Sequence, residues 1–247
     1  MLSPQQIKAF RSEIYSHYYT HPRPLPWRLT ENPYFIFVSE LMLQQTQVER
    51  VTAKYEQFIV EFPDFQTLAT APLQRVLELW QGLGYNRRAL YLHKAAQRVV
   101  RDFGGELPSD PGILETLPGV GHATAREIAA FAFRIPAAFI ETNIRRVFIH
   151  FFFQERENIH DREILPLVEQ TQDRDDPRTW YYALMDYGVM LKRKIRNPNI
   201  RSAHYQKQGA FYGSNRQLRG EILRAVSANP GLTLEELTGR TGSNPEK

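Results

Sequence analysis

Two stretches of the chain combine residue types that could act on a substrate. In Ser39-Glu40-Leu41-Met42-Leu43-Gln44-Gln45-Thr46-Gln47, a carboxyl and an amide lie four residues apart, which puts Glu40 and Gln44 on one face of a helix. Phe35, Ile36, Phe37, Val38, Leu41, Met42 and Leu43 leave Glu40 as the sole charge of its run. Burial among such neighbours disfavours the carboxylate and raises its pKa toward that of a proton donor. A lone helical glutamate is more often a solvated surface charge, and only the apolar surroundings favour chemistry here. The second stretch is Leu117-Pro118-Gly119-Val120-Gly121-His122-Ala123-Thr124. Its glycines permit left-handed backbone and close approach, and the helix that follows offers unpaired amides and a positive dipole end. Gly-x-Gly by itself favours an ordinary helix–helix turn, whereas the full string suits a sequence-independent grip on DNA phosphates.

The elements that must hold these stretches read as helices. Leu2, Ile7, Phe10 and Ile14 recur at near-helical spacing, which predicts a helix over about residues 4–17, and the prolines of residues 21–27 form a stiff linker after it. Residues 33–100 read as helical, with breaks near Phe62-Pro63, Ala71-Pro72 and Gly82-Leu83-Gly84. Helical runs are also expected from Asp110, over 123–133 and 143–153, over 218–226, and in a short piece over 232–237 before a polar tail from Thr241 to Lys247. Strand-like alternation is scarce, and the expected fold class is all-α.

The chain has 247 residues, 42% hydrophobic and 23% charged, with a formal net charge of +4, which fits a folded protein and is compatible with a polyanionic partner. It contains no cysteine, excluding disulfides, a thiol nucleophile and a cysteine-ligated zinc or iron-sulfur site. Lys192, Arg193, Lys194, Arg196, Arg201, Lys207, Arg216 and Arg219 lie between Tyr187 and Gly220 with no acidic residue among them. This tract is the strongest local charge asymmetry, readable as a DNA-facing surface or as a solvated basic face. No stretch has the pattern of a signal peptide or the length of a membrane span, so a cytoplasmic protein is expected, nucleoid-associated if prokaryotic, with no membrane partner; a monomer is the separate expectation for its assembly.

Leu25-Pro-Trp, Ser39-Glu-Leu-Met-Leu-Gln-Gln-Thr-Gln, Trp80-Gln-Gly-Leu-Gly-Tyr85, Leu92-His-Lys-Ala-Ala-Gln97 and Leu117-Pro-Gly-Val-Gly121 together resemble the MutY-type adenine DNA glycosylases of the helix-hairpin-helix (endonuclease III) superfamily. The resemblance implies two helical lobes with DNA in the cleft between them. One is a six-helix barrel over 28–134, the other combines 1–27 with 135–213, and 214–247 forms a short helical extension. It implies that Glu40 protonates a flipped adenine and then helps to position water. It further implies that Gln44 and Gln45 probe the emptied stack and that Tyr85, followed by Arg87, wedges beside the opposite base. Leu117, Gly119, Val120, Gly121, Ala123 and Thr124 would hold the backbone. Glycosidic cleavage asks for this division of labour: an acid on the leaving base and a carboxylate facing the cationic sugar.

Four departures from that pattern qualify the expectation. Glu141 stands where the family has an aspartate, moving the charge by on the order of 1.5 Å, a shift to which catalytic geometry is sensitive. It is expected to stabilise the cation, with Asn143 as its companion; a helix cap or an ion pair with Arg145 is the structural alternative. Ala123 takes the position of the Schiff-base lysine of bifunctional members, which implies base release without strand cleavage. The family's four cysteines after Met185-Asp-Tyr-Gly188 are replaced by Lys192, Arg193, Lys194 and Arg196, so no cofactor is expected and Lys192 and Lys194 are assigned to DNA. The sequence given ends before the separate domain that reads 8-oxoguanine in the family. The expected activity is therefore a monofunctional glycosylase on a mismatched base in double-stranded DNA, most favourably adenine opposite guanine or 8-oxoguanine. A thymine or uracil mismatch glycosylase on the same scaffold, or a non-catalytic DNA-structure-binding protein, are the alternatives.

Overall fold

The computed structural model describes residues 1–206, 209, 212–229 and 231–241, within which every regular element is helical. Lys207 of the basic tract and the polar tail after Thr241 lie outside them. The chain forms two compact units, Met1–Glu40 with Pro108–Gln206, and Leu41–Leu107 with Lys207–Lys247. These limits differ from the lobe limits at 27/28 and 134/135 drawn from the sequence: the glycine hairpin groups with the N-terminal helix, and the chain passes between units within one helix. No described helix is long and apolar enough to cross a membrane.

In the first unit, α1 (Pro4–Thr20) begins at a Ser3 capping box, with Ser3 Oγ accepting from Gln6 N and Gln6 Oε1 accepting from Ser3 N. It runs one turn further than its apolar spacing suggests. The proline linker ends in a 3₁₀ turn, Pro26–Arg28, and α2 (Pro33–Leu43) follows. The other helices of this unit are α7 (Pro111–Glu115), α8 (His122–Phe133), α9 (Thr142–Phe152), α10 (Asp161–Thr171) and α11 (Pro177–Lys194). The sequence reading left α10 and α11 undelineated. Phe10, Ile14, Ile36, Phe131, Phe148, Trp180 and Leu184 belong to one buried cluster, and Phe10 meets Phe148 edge-on at 5.4 Å.

The second unit contains α3 (Val48–Glu61), α4 (Phe65–Thr70), α5 (Leu73–Trp80) and α6 (Arg87–Phe103), broken where the prolines and glycines predict. A further break, unforeseen in the sequence, ends α2 at Leu43. Its core includes Val51, Phe58, Trp80, Leu92 and Val99, and Phe58 meets Trp80 edge-on at 6.1 Å. The C-terminal helices α12 (Asn215–Ala228) and α13 (Leu234–Thr241) pack on each other.

One close approach in the first unit sets the spacing of α9 and α11. A Cβ at Gly188 would lie 2.6 Å from both Asn143 Cβ and Asn143 O, so only glycine lets these helices meet as they do. Gly188→Ala is expected to push the N-terminus of α9 away and destabilise the protein by about 2–3 kcal/mol, read as a fall of roughly 5–10 °C in Tm by calorimetry.

Candidate active site and hairpin

Glu40 lies on α2, where Ile36, Phe37, Val38 and Leu41 are fully buried, and is itself only 7% exposed. Removal from water pushes its pKa up to about 8; the Arg28 guanidinium works against that rise and the Glu141 carboxylate adds to it. Arg28 is fixed by a two-pronged pair with Asp186, at 2.7 Å and 2.9 Å, and by the ring of Tyr182 beneath its guanidinium at 4.4 Å. Arg23 adds a third bond to Asp186 at 3.0 Å. Arg28 follows Trp27 in the Leu-Pro-Trp string, so it was adjacent to a recognised motif yet not singled out.

Glu141 is the N-cap of α9. Its Oε1 accepts from the backbone N–H of Asn143 at 2.6 Å and of Ile144 at 2.8 Å, while Oε2 accepts from Asn143 Nδ2 at 3.2 Å. Burial raises its pKa, and these amides together with Arg146 and Arg145 oppose the rise. The cap envisaged from the sequence is therefore present, but the Arg145 pair is not: Arg145 bonds Asp161 at 2.7 Å and 2.6 Å. Asn143 Oδ1 accepts from Arg146 at 2.6 Å, and the same arginine nitrogen donates to Gly188 O at 2.7 Å. Asn143 is thereby held from two sides.

A third carboxyl, Glu127 on α8, was absent from the sequence reading. Burial drives its pKa well above the ordinary value, and Glu40 and Glu141 both push in the same direction. It retains some accessible surface, so its carboxyl end is hemmed in by protein rather than sealed from water. Its signal was available: it stands four residues after Ala123 on the same helix. Among the described residues no group of three or more acids and histidines is arranged to hold a metal ion.

In the hairpin, Asp110 caps α7 by accepting from Ile113 N at 2.9 Å, and Val120 N donates to Leu117 O at 3.1 Å. Leu117 and Val120 are buried, so their side chains anchor the turn. Gly119 has φ +81°, which requires glycine. Gly121 does not share that need: its φ is −92° and a Cβ there would meet nothing within 4 Å. No side chain caps the N-terminus of α8, where Ala123 is partly exposed and Thr124 buried.

The glutamines are placed differently from the expectation. Because α2 ends at Leu43, Gln44 lies in a turn rather than on the helix face of Glu40, and Gln45 follows exposed with φ +54°. In the same unit Tyr85 is 38% exposed with φ +48°. Both segments are tied by Arg88, also missed from the sequence in favour of its exposed neighbour Arg87. Arg88 donates to Leu41 O and Met42 O at 2.9 Å and 2.8 Å, to Thr46 Oγ1 at 2.7 Å and to Gly84 O at 2.9 Å. The basic tract divides as well. Lys192, Arg193 and Lys194 form the exposed last turn of α11, where they complement the helix dipole. Arg201 instead turns inward to the carbonyls of Phe153 and Gln154.

A family model described as HhH-GPD superfamily base excision DNA repair protein matches residues 38–169, which include Glu40, the hairpin, Glu127 and Glu141. The chain belongs to this superfamily. The adenine DNA glycosylase of Buchnera aphidicola subsp. Baizongia pistaciae is 36% identical over 173 residues, which cover 68% of this chain and 48% of that protein. The adenine DNA glycosylase of Mycobacterium tuberculosis (strain ATCC 25618 / H37Rv) is 33% identical over 238 residues, covering 88% and 78%. The chain thus spans about half the length of the first relative and over three quarters of the second. Among solved structures, a thermostable thymine-DNA glycosylase matches with a TM-score of 0.72 and 28% identity, covering 78% of this chain and 91% of that one. Superfamily membership is legible in the residues themselves, since the hairpin and the buried acid both fall inside the matched span.

The raised pKa of Glu40 costs stability in a defined window. Between pH 4.5 and about 8 the unfolded chain ionises Glu40 while the folded chain keeps it protonated, so stability falls as pH rises through that range. Glu40→Gln is expected to melt like the unsubstituted chain at pH 4 and to be more stable by pH 8, by on the order of a few kcal/mol, as calorimetry at the two pH values would measure.

Proposed function

We propose that the chain is a DNA N-glycosylase of base excision repair that releases adenine from a mispair with guanine or 8-oxoguanine. The observation that carries the reading is Glu40, a buried carboxyl held up to about pH 8 and therefore a proton donor at neutral pH. Burial raises the pKa of Glu141 too, but unlike Glu40 its charged form is supported by two backbone amides and by Arg146 and Arg145, which suits it to face a cation. Glu40 protonates a ring nitrogen of the extruded base. The bond from C1′ to the base nitrogen then breaks, and its electron pair leaves with the base. Glu141 faces the resulting oxocarbenium ion, water adds to C1′, and its proton passes to the Glu40 carboxylate. Asn143 holds the Glu141 carboxylate in place. With Ala123 where a lysine would be needed, the product is an abasic site and an intact strand.

The assignment of adenine draws on the names of the bacterial relatives. The resemblance to a thymine-DNA glycosylase favours a second reading, thymine released from a mispair with guanine. For the strand itself, the hairpin from Leu117 to Gly121 and the first turn of α8, including Ala123 and Thr124, are assigned to the phosphates, with the positive end of the α8 dipole, and Lys192 and Lys194 add long-range attraction. Gln44, Gln45, Tyr85 and Arg87 are assigned to the bases around the extruded nucleotide, on exposed turns whose backbone Arg88 holds.

Duplex oligonucleotides bearing A:8-oxoG, A:G, T:G or U:G, incubated with the protein and then treated with alkali, test this function. The expected result is cleavage of the adenine duplexes after alkali and none before it; cleavage confined to T:G or U:G selects the second reading, and no cleavage of any duplex overturns both. Glu40→Gln is expected to lower base release by at least about 100-fold with duplex affinity within about threefold, and base release by the unsubstituted chain to fall as pH rises through about 8. Gly119→Val is expected to weaken binding to every duplex alike, roughly tenfold or more in a salt titration; a loss confined to one base pair would contradict the phosphate role.

A further inference from the structure

Buried carboxyl groups in folded proteins are almost always hydrogen-bonded, so an exception points to water or a ligand. In the first unit two carboxyls within electrostatic reach of each other are such exceptions. Glu40, 7% exposed, has no hydrogen-bond partner among the described residues. Glu127 has none either. Glu141, by contrast, is satisfied by its own helix.

The placement of Glu127 adds a geometric argument. On α8 it follows Ala123 by four residues, and helical side chains lean toward the N-terminus, so its carboxyl extends over the turn occupied by Ala123. Ala123 has no atom beyond Cβ to fill that space. The carboxyl end of Glu127 therefore takes up room that a longer residue at Ala123 would occupy, within electrostatic reach of Glu40 and Glu141.

We propose that Glu127 is a base-contacting residue of the site, its carboxyl pairing through one donor and one acceptor with an edge of the extruded base. The inference rests on the glycosylase reading and deepens it. Electrostatics select the neutral form for this work. Neither a hydrogen-bond donor nor a cation supports the charged form of Glu127, and both neighbouring carboxyls oppose it. A neutral carboxyl presents one O–H donor and one C=O acceptor side by side. Adenine offers the matching pair, an exocyclic N–H beside a ring nitrogen lone pair. Thymine offers a ring N–H beside a carbonyl, so the contact selects bases with an adjacent donor and acceptor rather than adenine alone.

Glu127→Leu and Glu127→Gln separate this role from packing, because glutamine keeps one donor and one acceptor while leucine keeps only volume. Single-turnover base release is expected to drop about 30-fold in Glu127→Leu and to be rescued to within about fivefold in Glu127→Gln. A second readout does not need chemistry: 2-aminopurine in place of the target base brightens when it is extruded from the stack, and the same order of the two variants is expected in that signal. If base release is absent in every variant and the signal still follows Glu127, the catalytic reading fails and the contact stands. Equal losses in both variants with a lowered Tm, or release and extrusion within twofold of the unsubstituted chain in Glu127→Leu, would overturn the proposal.

Discussion

Glu40 is a charged residue type placed on a helix whose other side chains are committed to a core. Ile36 on the same helix packs in the aromatic cluster of the first unit, and that packing takes the carboxyl out of water with it. Desolvation is the largest influence on Glu40, ahead of Arg28 and Glu141. The rest of the site compensates for this burial or exploits it. Arg28 offers one positive charge, but Asp186 accepts both of its terminal nitrogens, so the arginine offsets only part of the burial cost and leaves the carboxyl protonated.

Three carboxyls within electrostatic reach of one another cannot all be charged at comparable pH, and their surroundings rank them. Burial raises the pKa of Glu141 as well, and two amides at the start of α9 with the arginines beside it oppose that rise. Glu40 has Arg28 alone, and Glu127 has no such support. The substitution of glutamate for the usual aspartate is accommodated by local geometry. The longer side chain folds back onto its own helix, bonding the amides two and three residues later, and Gly188 lets α11 approach closely enough to hold Asn143 through Arg146.

In the second unit a single buried arginine plays the organising part. Arg88 takes up two of the carbonyls at the C-terminus of α2, those of Leu41 and Met42, and the Gly84 carbonyl before Tyr85, with its guanidinium 5.2 Å from the Trp80 ring. The two exposed turns that carry Gln45 and Tyr85, both with positive φ, are thus fixed from beneath by a cation whose position suits packing as well as hydrogen bonding.

Much of this protein was legible in the order of its residues. Apolar spacing, prolines and glycines marked most helices because they act locally, through backbone restriction and periodic burial. The Leu117–Gly121 string and the lone acid among apolar neighbours were visible for the same reason. What required the tertiary structure was everything decided by distant neighbours. The end of α2 at Leu43, which removes Gln44 from the face of Glu40, has no proline or glycine to announce it and is stabilised by Arg88 from far along the chain. Arg201 looked like part of a uniform basic surface until the carbonyls of Phe153 and Gln154 claimed it. Glu127 was not singled out in the sequence at all. Only the folding of α2, α8 and α9 together brings it within reach of Glu40 and Glu141, because a carboxyl's protonation state depends on which charges and how much water surround it in space.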